Sequence, residues 1–361
     1  MARKGQEAAV KKAGHTNGSE PNMKKMLILT SALCGLGFAA QAQNKEVNVV
    51  SWGGAYEKSQ VEAYNIPFSK ETGIKVNVVF AKEGLNERLE REGKLSPADL
   101  MLTVDISRLT DLVDKGLVQP VDSKILQENI PAIYRDPDNR WFALTTRVRA
   151  IYSSKDRLGK LDTISYEDLA KPEFKGKICT RSGKHEYNVA LVSSMIAHHG
   201  MAETKSWLEG VKANLARKPQ GNDRDQVKAI KDGICDLSLG NSYYLGAMLK
   251  DPAQKAWADA VYINFPNQAD RGAHVNVSGV AMTKYAKNKV EAQKLMEFLA
   301  GDTAQHMYAD VNAEYPVKAG VEPSAMVKSW GSFKSDALPV SDYAKHRKDA
   351  LQLLDEVKFD L

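Results

Sequence analysis

Alternating apolar and polar positions mark a first strand over Val47–Trp52, which Gly53-Gly54 breaks. A helix is expected through Tyr56–Lys70, with Pro67 disturbing its end, and Gly73 then stops it. Ile74–Phe80 alternates again and reads as a second strand. Leu85–Glu92 is a helix ending near Gly93, Asp99–Thr103 a third strand, and Asp105–Lys115 a helix closed by Gly116. Strand and helix alternate, as in an α/β lobe with a largely parallel sheet.

Two long extended stretches follow far apart. Trp141–Tyr152 carries basic insertions at Arg147 and Arg149, and Val275–Met282 is β-rich throughout. Each reads as a crossing between lobes. Between them lie helical segments at Ser165–Leu169, Tyr187–His198 and Ala202–Asn214, with strands near Ile178 and Leu237. The tail is helical over Val290–Leu299, Thr303–Asp310 and Tyr343–Val357. Two crossings imply the two-lobed α/β fold of solute-binding proteins, hinged, with the ligand in the cleft. The expected organisation is a leader over 1–42 and lobe one over 43–146 plus about 276–320. Lobe two covers 147–275, and a C-terminal helical segment over 321–361 packs across the lobes.

The leader changes the charge balance. Met23-Lys24-Lys25, an apolar run from Met26 to Ala39, and Ala40-Gln41-Ala42 form a secretory signal over 23–42, with export to the periplasm and cleavage near Ala42 expected. Met23 is the expected start, with 1–22 an extension. Cys34 lies in the apolar run without the residue order of a lipoprotein site. The whole chain has 50 basic and 45 acidic residues, but the leader holds six and two of them. The remaining 44 against 43 give a net of +1, too little for a nucleic-acid or membrane partner. Cys179 and Cys235 remain after cleavage; an even number in an oxidising compartment favours a disulfide over two buried thiols.

Catalytic motifs are absent: no G-x-S-x-G, no H-E-x-x-H, no phosphate-binding glycine loop. His185-Glu186 begins like a zinc motif, but Val189 stands where the second histidine belongs. His198-His199 point about 100° apart on a helix and read as a helix C-terminus. Asn241-Ser242-Tyr243-Tyr244 follows a strand, and Asn241 or Ser242 is placed to cap a short helix. Two phenols at a strand-to-helix junction line either a cleft or an ordinary packing interface. Ferric iron is a hard cation that prefers anionic oxygen, and it strips the proton from a phenol whose free pKa is ~10.

Long runs then point to a family. They include Ser96-Pro97-Ala98-Asp99, Trp141-Phe142-Ala143-Leu144-Thr145 and Lys175-Gly176-Lys177-Ile178-Cys179-Thr180-Arg181-Ser182. Further on come Pro219-Gln220-Gly221-Asn222-Asp223, Asn241-Ser242-Tyr243-Tyr244, His274-Val275-Asn276-Val277-Ser278-Gly279 and Glu314-Tyr315-Pro316-Val317. From about residue 80 onward the chain resembles the ferric-iron-binding periplasmic proteins of ABC importers, in their all-tyrosine branch. The resemblance implies a monomer without enzymatic activity that carries ferric iron (Fe3+) to an inner-membrane ABC permease. It implies Tyr243, Tyr244 and Tyr187 as phenolate ligands. The first strand departs from the family's Ser-x-Arg-His-Tyr run, having Ser51-Trp52-Gly53-Gly54-Ala55-Tyr56. Tyr56 is the candidate fourth ligand, with water or a synergistic anion such as carbonate as the alternative. Arg147, Arg149 and Arg181 are candidates to balance phenolates or hold that anion. The Trp-Gly-Gly start also resembles binders of organic cations such as polyamines, which would use Trp52 and Tyr56 for cation–π contact. An enzyme on a related scaffold is the remaining alternative.

Overall fold

The computed structural model describes residues 45–52, 66–81 and 84–361. The leader, Cys34 and Tyr56 lie outside the described residues. In the first half, β1 (Glu46–Trp52), α1 (Ile66–Thr72), β2 (Lys75–Ala81), α2 (Leu85–Glu92), β3 (Leu100–Val104) and α3 (Ile106–Asp114) succeed one another. β1 pairs in parallel with both β2 and β3. Of the helix expected over Tyr56–Lys70, residues 56–65 lie outside the described residues; the described part, α1, is helical through Pro67 to Thr72. After β4 (Val118–Gln119) and α4 (Lys124–Asn129), the chain enters β5 (Phe142–Ser154), buried along all its length.

β5 serves two sets of partners. Phe142–Val148 pairs antiparallel with β9 (Val275–Thr283), and β9 in turn pairs with β3. Arg149–Ser154 pairs with β7 (Leu237–Asn241) and β8 (Val261–Asn264). Among the described residues the sheet order is β2-β1-β3-β9-β5-β7-β6, where β6 is Ile178–Cys179. Both long extended stretches of the sequence are therefore strands at the centre of this path.

The second half carries α5 (Glu186–Ala213), α6 (Asp223–Lys231), α7 (Tyr243–Lys250) and α8 (Lys255–Asp259). α5 joins two expected helices across a break at Gly200, whose φ of 76° suits glycine. His198 and His199 thus do end a helical run, and they pair with Asp336 and Glu167. The expected helix at Ser165–Leu169 is instead a 3₁₀ turn over Glu167–Ala170, held by the Ser165–Asp168 hydrogen bonds. The tail contains α9 (Lys289–Leu299), α10 (Asp302–Asn312), β10 (Tyr315–Pro316), α11 (Ala325–Lys328), α12 (Val340–Ala344) and α13 (Arg347–Glu356). The single helix expected over Tyr343–Val357 is thus two, α12 and α13. α12 packs on both α3 and α5, and α13 packs on α5.

One apolar core gathers Val47, Leu100, Leu109, Trp141, Phe142, Val277 and Leu295 around the first sheet region. Others gather Ile151, Ile178, Leu191 and Leu239, and Tyr152, Val227, Ile230 and Leu245, around the second. Burial of such side chains contributes roughly 1.5–3 kcal/mol each. The cysteines are bridged: Cys179 of β6 is joined to Cys235, two residues before β7.

Candidate functional site

Three tyrosines from two helix N-termini converge. Tyr243 and Tyr244 open α7 directly after β7, and Tyr187 is the second residue of α5. The Tyr243 hydroxyl donates to the Tyr187 hydroxyl oxygen at 3.2 Å, and the Tyr243 and Tyr244 rings lie 4.4 Å apart between centroids. Tyr187 is buried, whereas Tyr243 and Tyr244 are half-buried. The phenols thus have dry stems and one wetter side. Burial, followed by the Tyr244 phenol, pushes the Tyr187 hydroxyl well above its ordinary pKa; Arg147 and the Tyr243 hydrogen bond oppose this.

The turn that presents Tyr243 and Tyr244 is held by β5. Neither Asn241 nor Ser242 caps α7. The Ser242 hydroxyl instead accepts from the Val148 amide at 3.2 Å, and the Ser242 amide donates to the Val148 carbonyl at 2.9 Å. The Asn241 side-chain oxygen accepts from Arg149 at 3.1 Å. Tyr152 of β5 donates to the Asn241 carbonyl at 2.9 Å, and its ring lies against Gly240, where a Cβ would come within 2.6 Å. Only glycine permits that approach without displacing the ring.

Beneath the phenols is a buried polar network. Arg149 and Asp223 form an ion pair at 2.5 Å, with side chains 2% and 0% exposed. Asp223 also accepts from the Asn241 amide at 2.9 Å and from Arg181 at 3.4 Å. Burial opposes ionisation of Asp223, but Arg149 and Arg181 outweigh it and hold its pKa below the usual range. Arg149 reaches Asn188 at 2.7 Å, one residue beyond Tyr187. Arg149 is therefore engaged as a structural ion pair that ties α5, α6 and β7 together. Arg181 lies with its guanidinium carbon 5.2 Å from the Tyr187 ring centroid. Arg147 is buried and donates to the Ser278 hydroxyl at 2.8 Å. Arg224, not singled out in the sequence, stands 5.9 Å from the Tyr244 ring.

His185 is the N-cap of α5, its Nδ1 accepting from the Tyr187 amide at 3.3 Å. Its ring meets the Tyr187 ring edge-on at 4.5 Å. Burial and Arg181 lower its pKa to about 3, so it stays neutral. Among the described residues no group of three or more His, Cys, Asp or Glu is placed to hold a metal. The hard-oxygen donors gathered here are phenols.

The first sheet region contributes a cation and an aromatic ring. Arg108 of α3 lies over Trp52 of β1, 3.6 Å from guanidinium carbon to ring centroid. It also reaches Glu186, the residue before Tyr187, at 3.0 Å. Trp52, the aromatic that a polyamine site would need, is thus covered by a cation of the chain itself. Arg108 gave no signal in the sequence and Glu186 only that of an incomplete zinc motif; their pairing was not legible, because no periodicity or motif links positions 78 apart. Asp223 lay within a quoted run, and its capping-box neighbours Asn222 and Asp225 were the available clue.

A two-lobed α/β scaffold, with strands crossing between lobes and a donor cluster at one helix pair, defines the solute-binding class. The chain belongs to the bacterial extracellular solute-binding protein family, whose model matches residues 96–335. It is 57% identical to the ferric iron-binding protein A of Mannheimia haemolytica solved in an open conformation, with a TM-score of 0.84 over 88% of this chain and 99% of that one. A Trichodesmium protein solved with iron and citrate ligands is 41% identical, with a TM-score of 0.83 over 87% of this chain and 99% of that one. Iron uptake protein A1 of Synechocystis sp. is 43% identical over 317 residues, 87% of each chain.

Proposed function

We propose that the protein is the periplasmic substrate-binding component of an ABC importer for ferric iron, with Tyr187, Tyr243 and Tyr244 as phenolate ligands. The observation that carries this reading is the convergence of three phenols, two of them in hydrogen-bond contact at 3.2 Å. A trivalent cation favours the phenolate form, and each ligating phenol gives up its proton on binding. Three phenolates offset the charge of the ion in a partly dry cleft. The arginines nearby, Arg181 and Arg147, suit a synergistic anion such as carbonate or citrate that completes the shell, with Tyr56 as the other candidate. The names of the relatives, which speak of ferric iron and iron uptake, support this choice of cargo.

The protein acts by capture and release without covalent chemistry, as an exported monomer. Its lobes exchange near residue 147 and again near 275–276, where β5 and β9 change neighbours or begin, and the segment 321–361 braces both. Export by the signal over 23–42, with cleavage near Ala42, places it where it meets the permease.

The test is optical. Iron(III) added as ferric citrate to the purified protein develops a red-to-orange phenolate charge-transfer band. The double variant Tyr243→Phe, Tyr244→Phe folds but loses that band. A parent protein that stays colourless with ferric citrate sinks the iron reading, as does full colour retained in the double variant for the ligand assignment.

A further inference from the structure

The contact between Arg108 and Glu186 joins a helix of the first core to the long helix that packs mainly in the second and sends Ala190 into the first. Arg108 sits on α3, anchored in the lobe-one core by Ile106, Leu109 and Leu112. Glu186 sits in the first turn of α5, which is anchored in the lobe-two core by Leu191, Val192 and Met195. The Arg108 Nε and Nη2 donate to Glu186 Oε2 at 3.2 and 3.0 Å, and Nη2 also reaches Oε1 at 3.3 Å. The side chains are 23% and 19% exposed.

We propose that Arg108 and Glu186 form an interlobe latch, stacked on Trp52, that slows opening of the cleft and so sets how fast bound metal escapes. The proposal rests on the iron reading for its cargo, though not for its geometry.

Three features suit the pair to this role. Trp52 holds the guanidinium carbon 3.6 Å from its ring centroid while Nε and Nη2 reach Glu186, so the aromatic contact helps position the fork for the carboxylate. Glu186 lies at a helix N-terminus, where the aligned peptide dipoles favour a negative charge. The pair is also mostly shielded from water, so it is stronger than an open surface bridge, yet water reaches it and it can break reversibly. Glu186 adjoins Tyr187, so separating the pair displaces the turn that carries a proposed ligand. In this proposal Arg108 and Glu186 are positioning residues that act through lobe closure.

The experiment compares the full-length parent with Arg108→Gln, Glu186→Gln and the double variant. Each is loaded with ferric citrate, and release to excess chelator is followed at the charge-transfer band. Each single variant is expected to keep the position and intensity of the band but to lose iron on the order of tenfold faster. The double variant is expected to be no faster than either single one, because both changes break the same link. Small-angle scattering of the iron-free proteins should show wider lobe separation in all three variants. Release within twofold of the parent, or rate effects that multiply in the double variant, would overturn the latch. A colourless parent would instead overturn the iron reading, and scattering then decides: curves that superimpose on the parent's refute the latch.

Discussion

The hydroxyl of Tyr243 hydrogen-bonds the hydroxyl of Tyr187, although 56 residues separate them. The contact joins the first turns of α7 and α5, so a metal ion bound there would cross-link two helices that the chain itself connects only at length. Tyr187→Phe removes a proposed ligand and the hydrogen bond together. Iron affinity is expected to fall by at least the 10–100-fold typical of losing an outer partner of a metal ligand, with a weakened charge-transfer band. Equilibrium competition with citrate measures it; parental affinity would remove Tyr187 from the ligand set.

Asp223 supports the same turn from below. Its carboxylate holds Arg149 and the Asn241 amide inside the fold. Asp223→Ala leaves a buried guanidinium without its counter-charge and is expected to cost about 3–5 kcal/mol. Urea unfolding of the iron-free protein reads this directly.

The Cys179–Cys235 bridge closes a loop of 56 residues in sequence separation. Chain-entropy arguments put its stabilisation at about 4 kcal/mol. It also ties β6 to the approach of β7, the strand that ends at the tyrosine turn. The double variant Cys179→Ser, Cys235→Ser should therefore lose stability of that order and bind iron more weakly. Thiol titration of the unfolded, unreduced parent should find neither cysteine free.

Glu167 makes a pH-dependent contribution to stability away from the proposed metal site. Burial alone would raise its pKa, but the Asn267 amide, Arg271 and His199 outweigh burial and hold it at about 2, below the ordinary 4.5. A depressed carboxylate stabilises the fold above its unfolded pKa, and that contribution disappears as pH falls from 4.5 to about 2. Because the side chain is partly exposed, the expected contribution at neutral pH is about 1–2 kcal/mol rather than the full shift. Glu167→Gln should cost that amount at pH 7 and progressively less below pH 4.5 in denaturant melts.

The first strand was legible from alternation, because a half-buried strand writes its burial into every second residue; the two long strands, buried at every position, were legible instead from their length and β-rich composition. The tyrosine pair was legible by position at the end of a strand, whereas Tyr187 needed the family resemblance. Its neighbours His185 and Glu186 suggested a broken zinc motif, and only the folded turn shows His185 as a cap. Asn241 or Ser242 was expected to cap α7, but both side-chain oxygens accept from β5, a long-range partner that local propensity does not encode. Arg149 could equally have balanced phenolates; its buried match with Asp223 is a tertiary fact.

β9 has one more consequence, for the order in which the protein is made. β3 lies between β1 and β9 and pairs with both, and most of lobe two is encoded between β3 and β9. A ribosome therefore completes the second lobe before it has supplied the strand that finishes the sheet of the first. Until Val275–Thr283 emerges, β3 has an unsatisfied edge and the first core has no closing wall. Under the proposed export, such an order delays closure of the first core, so the amino-terminal half would stay threadable until most of the polypeptide has been synthesised.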